Sequence, residues 1–127
     1  MIDWIWVTRQ YIETVHDRQI AEHGGGSGIR DENMLESALA RPRNLALYGE
    51  PDSSSLAASL AYGLAKNHAF VDGNKRSAWV GARLFLKLNR IEIVFDKAEA
   101  TVMVQQLAAG EITEDEVALW FRDRIVA

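Results

Sequence analysis

The sequence predicts an all-α fold, a compact bundle of about six helices. Three observations carry this. Apolar residues recur at helical spacing over most of the chain, helix-capping residues stand just ahead of those runs, and only the stretch "NRIEIVF" at 89–95 reads as extended.

Each element follows in order. Thr8 caps a first helix running to about Glu22, with Ile12, Val15, Gln19 and Ile20 on one face. "HGGGSG" breaks it. Asp31 caps "ENMLESALAR", which is expected to stop before Pro42, because proline restricts the residue ahead of it. "YGEPDSSS" is a loop, and Ser53 to Ser55 start a third helix through Leu64 to about His68. A fourth helix, from about Asn74 to Leu88, is apolar nearly all round and is expected at the buried centre of the fold. Asp96 with Glu99, and Thr113 with Glu116, have capping-box spacing. They open two last helices, separated at Gly110.

Composition narrows the function classes. A length of 127 residues predicts one domain, 1–127, large enough for a core without disulfides or metal. With no cysteine, a disulfide framework, a thiolate metal site and a cysteine nucleophile are all excluded. The net charge of −4 disfavours direct nucleic-acid binding but leaves room for a small phosphate ligand held by a few local cations. No run approaches the roughly 20 apolar residues of a membrane span. The start, "MIDWIWVTRQ", lacks a signal-peptide pattern, so a cytoplasmic protein is expected.

The densest chemistry lies at 67–78, "NHAFVDGNKRSA". Leu56, Leu60, Leu64 and His68 lie four apart, so His68 is expected to continue an apolar stripe to the inner end of its helix. Gly73 permits a tight turn. The next helix opens on Asn74, Lys75 and Arg76, and cations there oppose the helix dipole. They make sense if an anion also sits at that end. His68 could then take a proton from an attacking hydroxyl. Asp72 is a hard oxygen ligand suited to Mg²⁺ on a polyphosphate. Gly73 and Asn74 would offer backbone donors, Arg76 a bidentate grip and Lys75 a point charge. Phe70 would turn inward and pin the loop. Together these spell a phosphoryl- or nucleotidyl-transfer site. The plain alternative stays open on spacing alone: a core histidine followed by an ordinary Asp-Gly turn.

"HAFVDGNKR" resembles the Fic-family signature, H-P-F-x-D/E-G-N-G-R, and more closely its death-on-curing branch, H-x-F-x-D/N-A/G-N-K-R. "HDRQIAEHGGGSGIRD" and "LESALARP" are similar to that branch too, so the resemblance covers nearly the whole chain. It implies a compact all-helical Fic fold and transfer of a phosphate-containing group from ATP to a protein hydroxyl. By the family's roles, His68 is the general base, Asp72 positions Mg²⁺ or the acceptor, Gly73 and Asn74 belong to the anion-binding loop, Arg76 holds phosphate, and Phe70 anchors the loop.

Two positions depart from the wider signature. Ala69 replaces proline, which the branch tolerates. Lys75 replaces the second glycine, which in most Fic proteins leaves room for the nucleotide phosphates during AMP transfer. The branch is instead implied to bind ATP reversed and present its γ-phosphate. Lys75 therefore favours a protein kinase over an AMP transferase, with a threonine of elongation factor Tu as the implied target. A type II toxin, held in check by a cognate antitoxin, follows from the resemblance. The self-inhibitory pattern S/T-x-x-x-E-G/N is absent: only Glu32-Asn33 could end it, and Gly28 stands four before. Inhibition is then expected in trans. A non-catalytic binding module on the same scaffold is the remaining alternative.

Other features read more plainly. His16 and His23, seven apart, could join Asp17 or Glu22 at a metal, but solvated or packed roles suit them better; His16 could also sit beneath the site. "GGGSG" lacks a phosphate-loop ending and reads as a flexible turn. "EITEDE" reads as a dipole-stabilising helix start. Trp79 and Trp120 are expected in the core, while Trp4 and Trp6 either pack the first helix or form a contact patch.

Overall fold

The computed structural model describes residues 2–126. Six helices form it: α1 (Arg9–His23), α2 (Glu32–Leu47), α3 (Ser53–Lys66), α4 (Asn74–Leu88), α5 (Lys97–Ala109) and α6 (Glu114–Arg122). Extended structure among the described residues is limited to two isolated antiparallel bridges, Ile29 with Phe70 and Ile93 with Ile125. The all-α expectation holds.

Five helices start on side-chain caps. Thr8, Asp31, Asp52, Asp96 and Thr113 each accept a hydrogen bond from the backbone N–H three residues on. α3 starts at Ser53, as expected, with Asp52 as its cap. Only Thr113 and Glu116 complete a reciprocal capping box. Asp96 caps α5 one way, because the Glu99 carboxylate is engaged by Arg124 at 2.9 Å.

The second helix does not stop before Pro42 but runs through it to Leu47. Proline removes the bond that its N–H would make to Ala38, a local cost of about 3 kcal/mol. Burial offsets it. Leu35, Ala38, Leu39 and Pro42 all lie on the buried face of α2, which packs on α3. The two helices come very close where Ala38 meets Gly63: a Cβ on Gly63 would stand 3.0 Å from the Ala38 Cα.

The centre of the bundle is α3, not α4 as expected. Ten residues of α3 are buried, from Ser54 through Leu56, Leu60 and Leu64 to Ala65, and the helix packs on α2, α4, α5 and α6. Most of those residues are alanine, serine or glycine, which let neighbouring helices approach from several sides. α4 has one buried face, with Ala78, Ala82, Phe85 and Leu86 inward, while Trp79, Val80, Leu84 and Leu88 are half-covered. Trp4 and Trp6 pack against Phe85 with ring centroids 5.9 and 5.8 Å away. Trp79 and Trp120 are half-buried beside Phe121.

The last helix meets the start of α3 through one ion pair. Arg122 of α6 grips both Asp52 oxygens, at 2.8 and 3.0 Å, while Asp52 caps α3. The guanidinium holds the Asp52 carboxyl down at about 2. A carboxyl depressed in the folded state adds stability that is complete above its ordinary value of 3.8 and is lost as pH falls through about 2. Both side chains are nearly half exposed, 45% and 49%, so screening trims the contribution to less than about 1 kcal/mol. Asp52→Asn keeps an equally good cap and removes only the charge. Its deficit in urea melts is expected at neutral pH and should vanish between about pH 4 and pH 2.

Candidate functional site

The loop at 67–73 joins α3 to α4, and its shape differs from the expectation at its first step. His68 is not the last residue of the leucine stripe. The helix ends at Lys66, and His68 lies beyond it, exposed, with φ 49°. The reason is the pair that follows: Ala69 and Phe70 are both fully buried, and the chain turns left-handed at His68 to send them inward. Histidine tolerates this region better than most residues, but the conformation still costs about 1–3 kcal/mol.

The glycine segment between α1 and α2 holds this turn in place. Arg30 N–H and Asp31 N–H donate to the Ala69 carbonyl at 2.7 and 3.0 Å, and Val71 N–H donates to Gly28 at 3.1 Å. The Arg30 guanidinium donates to the His68 carbonyl at 2.7 Å and to that of Asn67 at 3.4 Å. "GGGSG" is therefore more than a flexible turn. A Cβ at Gly25 would stand 2.7 Å from Asp72 Oδ2, and one at Gly26 would stand 2.8 Å from Val71 Cγ1. These glycines are the surface on which the motif loop lies. Composition identified the turn; the pairing that explains it spans some forty residues.

Phe70 turns inward at 2% exposure and stacks on His16, with ring centroids 3.9 Å apart and planes 6° from parallel. His16 is buried and contacts the Asp72 carbonyl at 2.8 Å through Nε2. A carbonyl only accepts, so Nε2 carries the proton. The metal reading of His16 and His23 receives no support: among the described residues no group of three potential metal ligands converges.

Asn74 serves the loop as well as the helix. Its side-chain oxygen accepts from Phe70 N–H and its amide donates to the Phe70 carbonyl, both at 3.0 Å. That side chain is thus occupied, leaving Asn74 its backbone N–H to offer. Gly73 precedes it at φ 75°, a left-handed turn suited to glycine, and its N–H donates to Asp72 Oδ1 at 2.8 Å.

The start of α4 is electropositive. It has no side-chain cap and no acidic residue in its first turn. Its first bonded amide is Ser77, to Gly73 at 3.0 Å; among the described residues the N–H groups of Asn74, Lys75 and Arg76 have no partner. The side chains of Lys75 and Arg76 are exposed, and among the described residues neither is in an ion pair. Arg9, Arg41, Arg122 and Arg124 all pair with carboxylates. Three open amides and two cations thus gather at the positive end of one helix, where the local field favours negative charge.

These groups line one cleft of about 820 Å³. His68, Asp72, Gly73, Asn74, Lys75 and Arg76 line it together with His23 at the end of α1 and Gln105 of α5. The volume suits a nucleotide-sized ligand. A second depression of about 660 Å³, along the end of α2, holds none of the motif residues. Asp72 is a lone carboxylate. That fits Mg²⁺, which takes one or two protein carboxylates and completes its shell with water and substrate phosphates.

The geometry assembles an exposed imidazole, one carboxylate and an uncapped, electropositive helix start. Such a set can deprotonate a hydroxyl beside a bound phosphate chain. His16 lies beneath the loop, as the sequence allowed; the contacts of Gly25 with Asp72 and of Arg30 with His68 were not legible, because those partners are distant in the chain.

Comparison with known proteins adds the relatives. The Fic/DOC family model matches residues 6–86. The chain is 38% identical over 100 residues to Toxin Doc of Mycolicibacterium smegmatis, covering 75% of this chain and 76% of that protein. It is 32% identical over 113 residues to Protein kinase doc of Escherichia phage P1, covering 88% of this chain and 89% of that protein.

Proposed function

The chain belongs to the Fic/DOC family, and on that premise we propose that it is the toxin of a toxin–antitoxin pair, a kinase that transfers the γ-phosphate of Mg-ATP to a threonine of elongation factor Tu. One observation carries the reading: an exposed histidine stands in the same cleft as an uncapped helix start with two unpaired cations. A related toxin and a related protein kinase support the two halves of the assignment.

In this mechanism the triphosphate lies along the first turn of α4. The N–H groups of Asn74, Lys75 and Arg76 hold its oxygens, Arg76 grips them bidentately, and Lys75 adds a point charge where a wider glycine slot would suit the opposite nucleotide orientation. Asp72 would hold Mg²⁺, which supplies charge neutralisation to the phosphates when bound. The acceptor oxygen bonds to the γ-phosphorus as the bond from that phosphorus to the β-bridging oxygen breaks. His68 takes the hydroxyl proton, and ADP leaves. His16 and Phe70 keep the loop floor fixed throughout. The target implies action in the cytoplasm, and a cognate antitoxin silences the site in trans.

The test is a transfer assay with purified protein, Mg²⁺, elongation factor Tu and ATP labelled at the γ- or the α-phosphate in parallel. Label from γ alone is the expected result. Label from α makes the protein an AMP transferase that uses the same residues. Label from neither, with a whole lysate as acceptor, makes it a binding module on a Fic scaffold.

A further inference from the structure

We infer that Arg30 is the positioning residue for His68, a guanidinium that locks the general base in its left-handed conformation. This rests on the transfer reading of the cleft.

The orientation of a side chain is set by the two peptide planes that flank its Cα. Rotation about φ turns the plane carrying the preceding carbonyl, and rotation about ψ turns the plane carrying its own. Arg30 holds both for His68. Its Nε donates to the His68 carbonyl at 2.7 Å, and its Nη2 reaches the Asn67 carbonyl at 3.4 Å. Nothing else among the described residues bonds either the N–H or the carbonyl of His68. The neighbouring bridge fixes Ala69 and Val71 but leaves His68 itself untouched. A non-glycine residue at φ 49° persists only where its surroundings over-determine it, and the fork geometry of arginine supplies that here.

The Arg30 side chain otherwise has no structural task. It is exposed and joins no ion pair among the described residues, so its truncation leaves the core, and the backbone bond from Arg30 N–H to Ala69, intact. It is also absent from the residues lining the cleft, which separates it from the phosphate-holding cations.

The experiment compares Arg30→Ala and Arg30→Lys with the wild-type chain by steady-state transfer kinetics and by the ¹³Cα and ¹³Cβ chemical shifts of His68. In Arg30→Ala, kcat is expected to fall about ten- to a hundredfold, since a reacting group displaced by about 1 Å loses that much. The KM for ATP should stay within about twofold, because phosphate binding is untouched. The His68 shifts should leave their left-handed values. Lysine can reach one carbonyl but not span both, so Arg30→Lys should restore part of each change. An unchanged kcat overturns the inference. So does a raised KM with kcat intact, which would make Arg30 a nucleotide ligand. Unchanged His68 shifts overturn it even if the protein transfers nothing. Altered shifts in a protein that transfers nothing would uphold the clamp and sink only the transfer reading.

Discussion

His68→Ala is expected to lower the transfer rate by about 10²- to 10⁴-fold, the range for loss of a positioned general base, while the protein stays folded. The two halves of this result come from separate observations. His68 lines the cleft with Asp72, Lys75 and Arg76, so the base proposed there is lost with it. It is exposed and makes no hydrogen bond through its ring among the described residues, so no packing is lost. Stability should therefore move by less than about 1 kcal/mol, read from thermal or urea melts. His68→Asn is the control for the backbone, because asparagine also tolerates the left-handed region but cannot act as a base near neutral pH. It should be as inactive as the alanine variant. In cells, both should lose growth arrest at wild-type protein levels. A folded His68→Ala protein that still arrests growth would refute the catalytic role.

Phe70→Ala should destabilise the fold by about 3–5 kcal/mol, the cost of emptying a large core site. The ring is 2% exposed and stacks on the buried His16, whose Nε2–H holds the Asp72 carbonyl. Removing it takes the floor from under the whole loop. Against a total stability of about 5–15 kcal/mol for a domain, this change threatens folding itself. Urea denaturation of Phe70→Ala, with the exposed neighbour Val71→Ala as reference, measures it. Val71→Ala should stay within about 0.5 kcal/mol of wild type. Equal midpoints for the two variants would show that Phe70 does not anchor the loop.

Much of the architecture was legible in the chain. Thr8, Asp31, Asp96 and Thr113 mark helix starts through a bond to the amide three residues on, a rule that needs no tertiary knowledge. Where tertiary packing overrides a local rule, the reading failed. Pro42 should end a helix, yet its burial on the α3-facing side carries α2 through it. A helix of alanines and serines looks less central than one carrying Trp79, Phe85 and three leucines, yet small residues are what allow four neighbours around α3. The site divides the same way. The types and spacing at 68–76 pointed to an anion and a base. That His68 leaves the helix, and that Arg30 reaches it, depends on two segments some forty residues apart that meet only in the fold.

The small-residue helix α3 also bears on heredity. A protein that halts its host's growth, as proposed here, is under selection for its own loss whenever its inhibitor fails. Ordinarily such escape would gather at the few residues that perform the chemistry. Here the vulnerable stretch is wider. Adding a methylene or more to a packed interior costs about 1–3 kcal/mol, and the ten buried positions of α3 are hemmed in by four other helices. At Gly63 even a single methyl would press on the Ala38 backbone. On that proposal, escape variants should be spread along residues 54–64, outside the lining of the cleft, as well as at the motif itself.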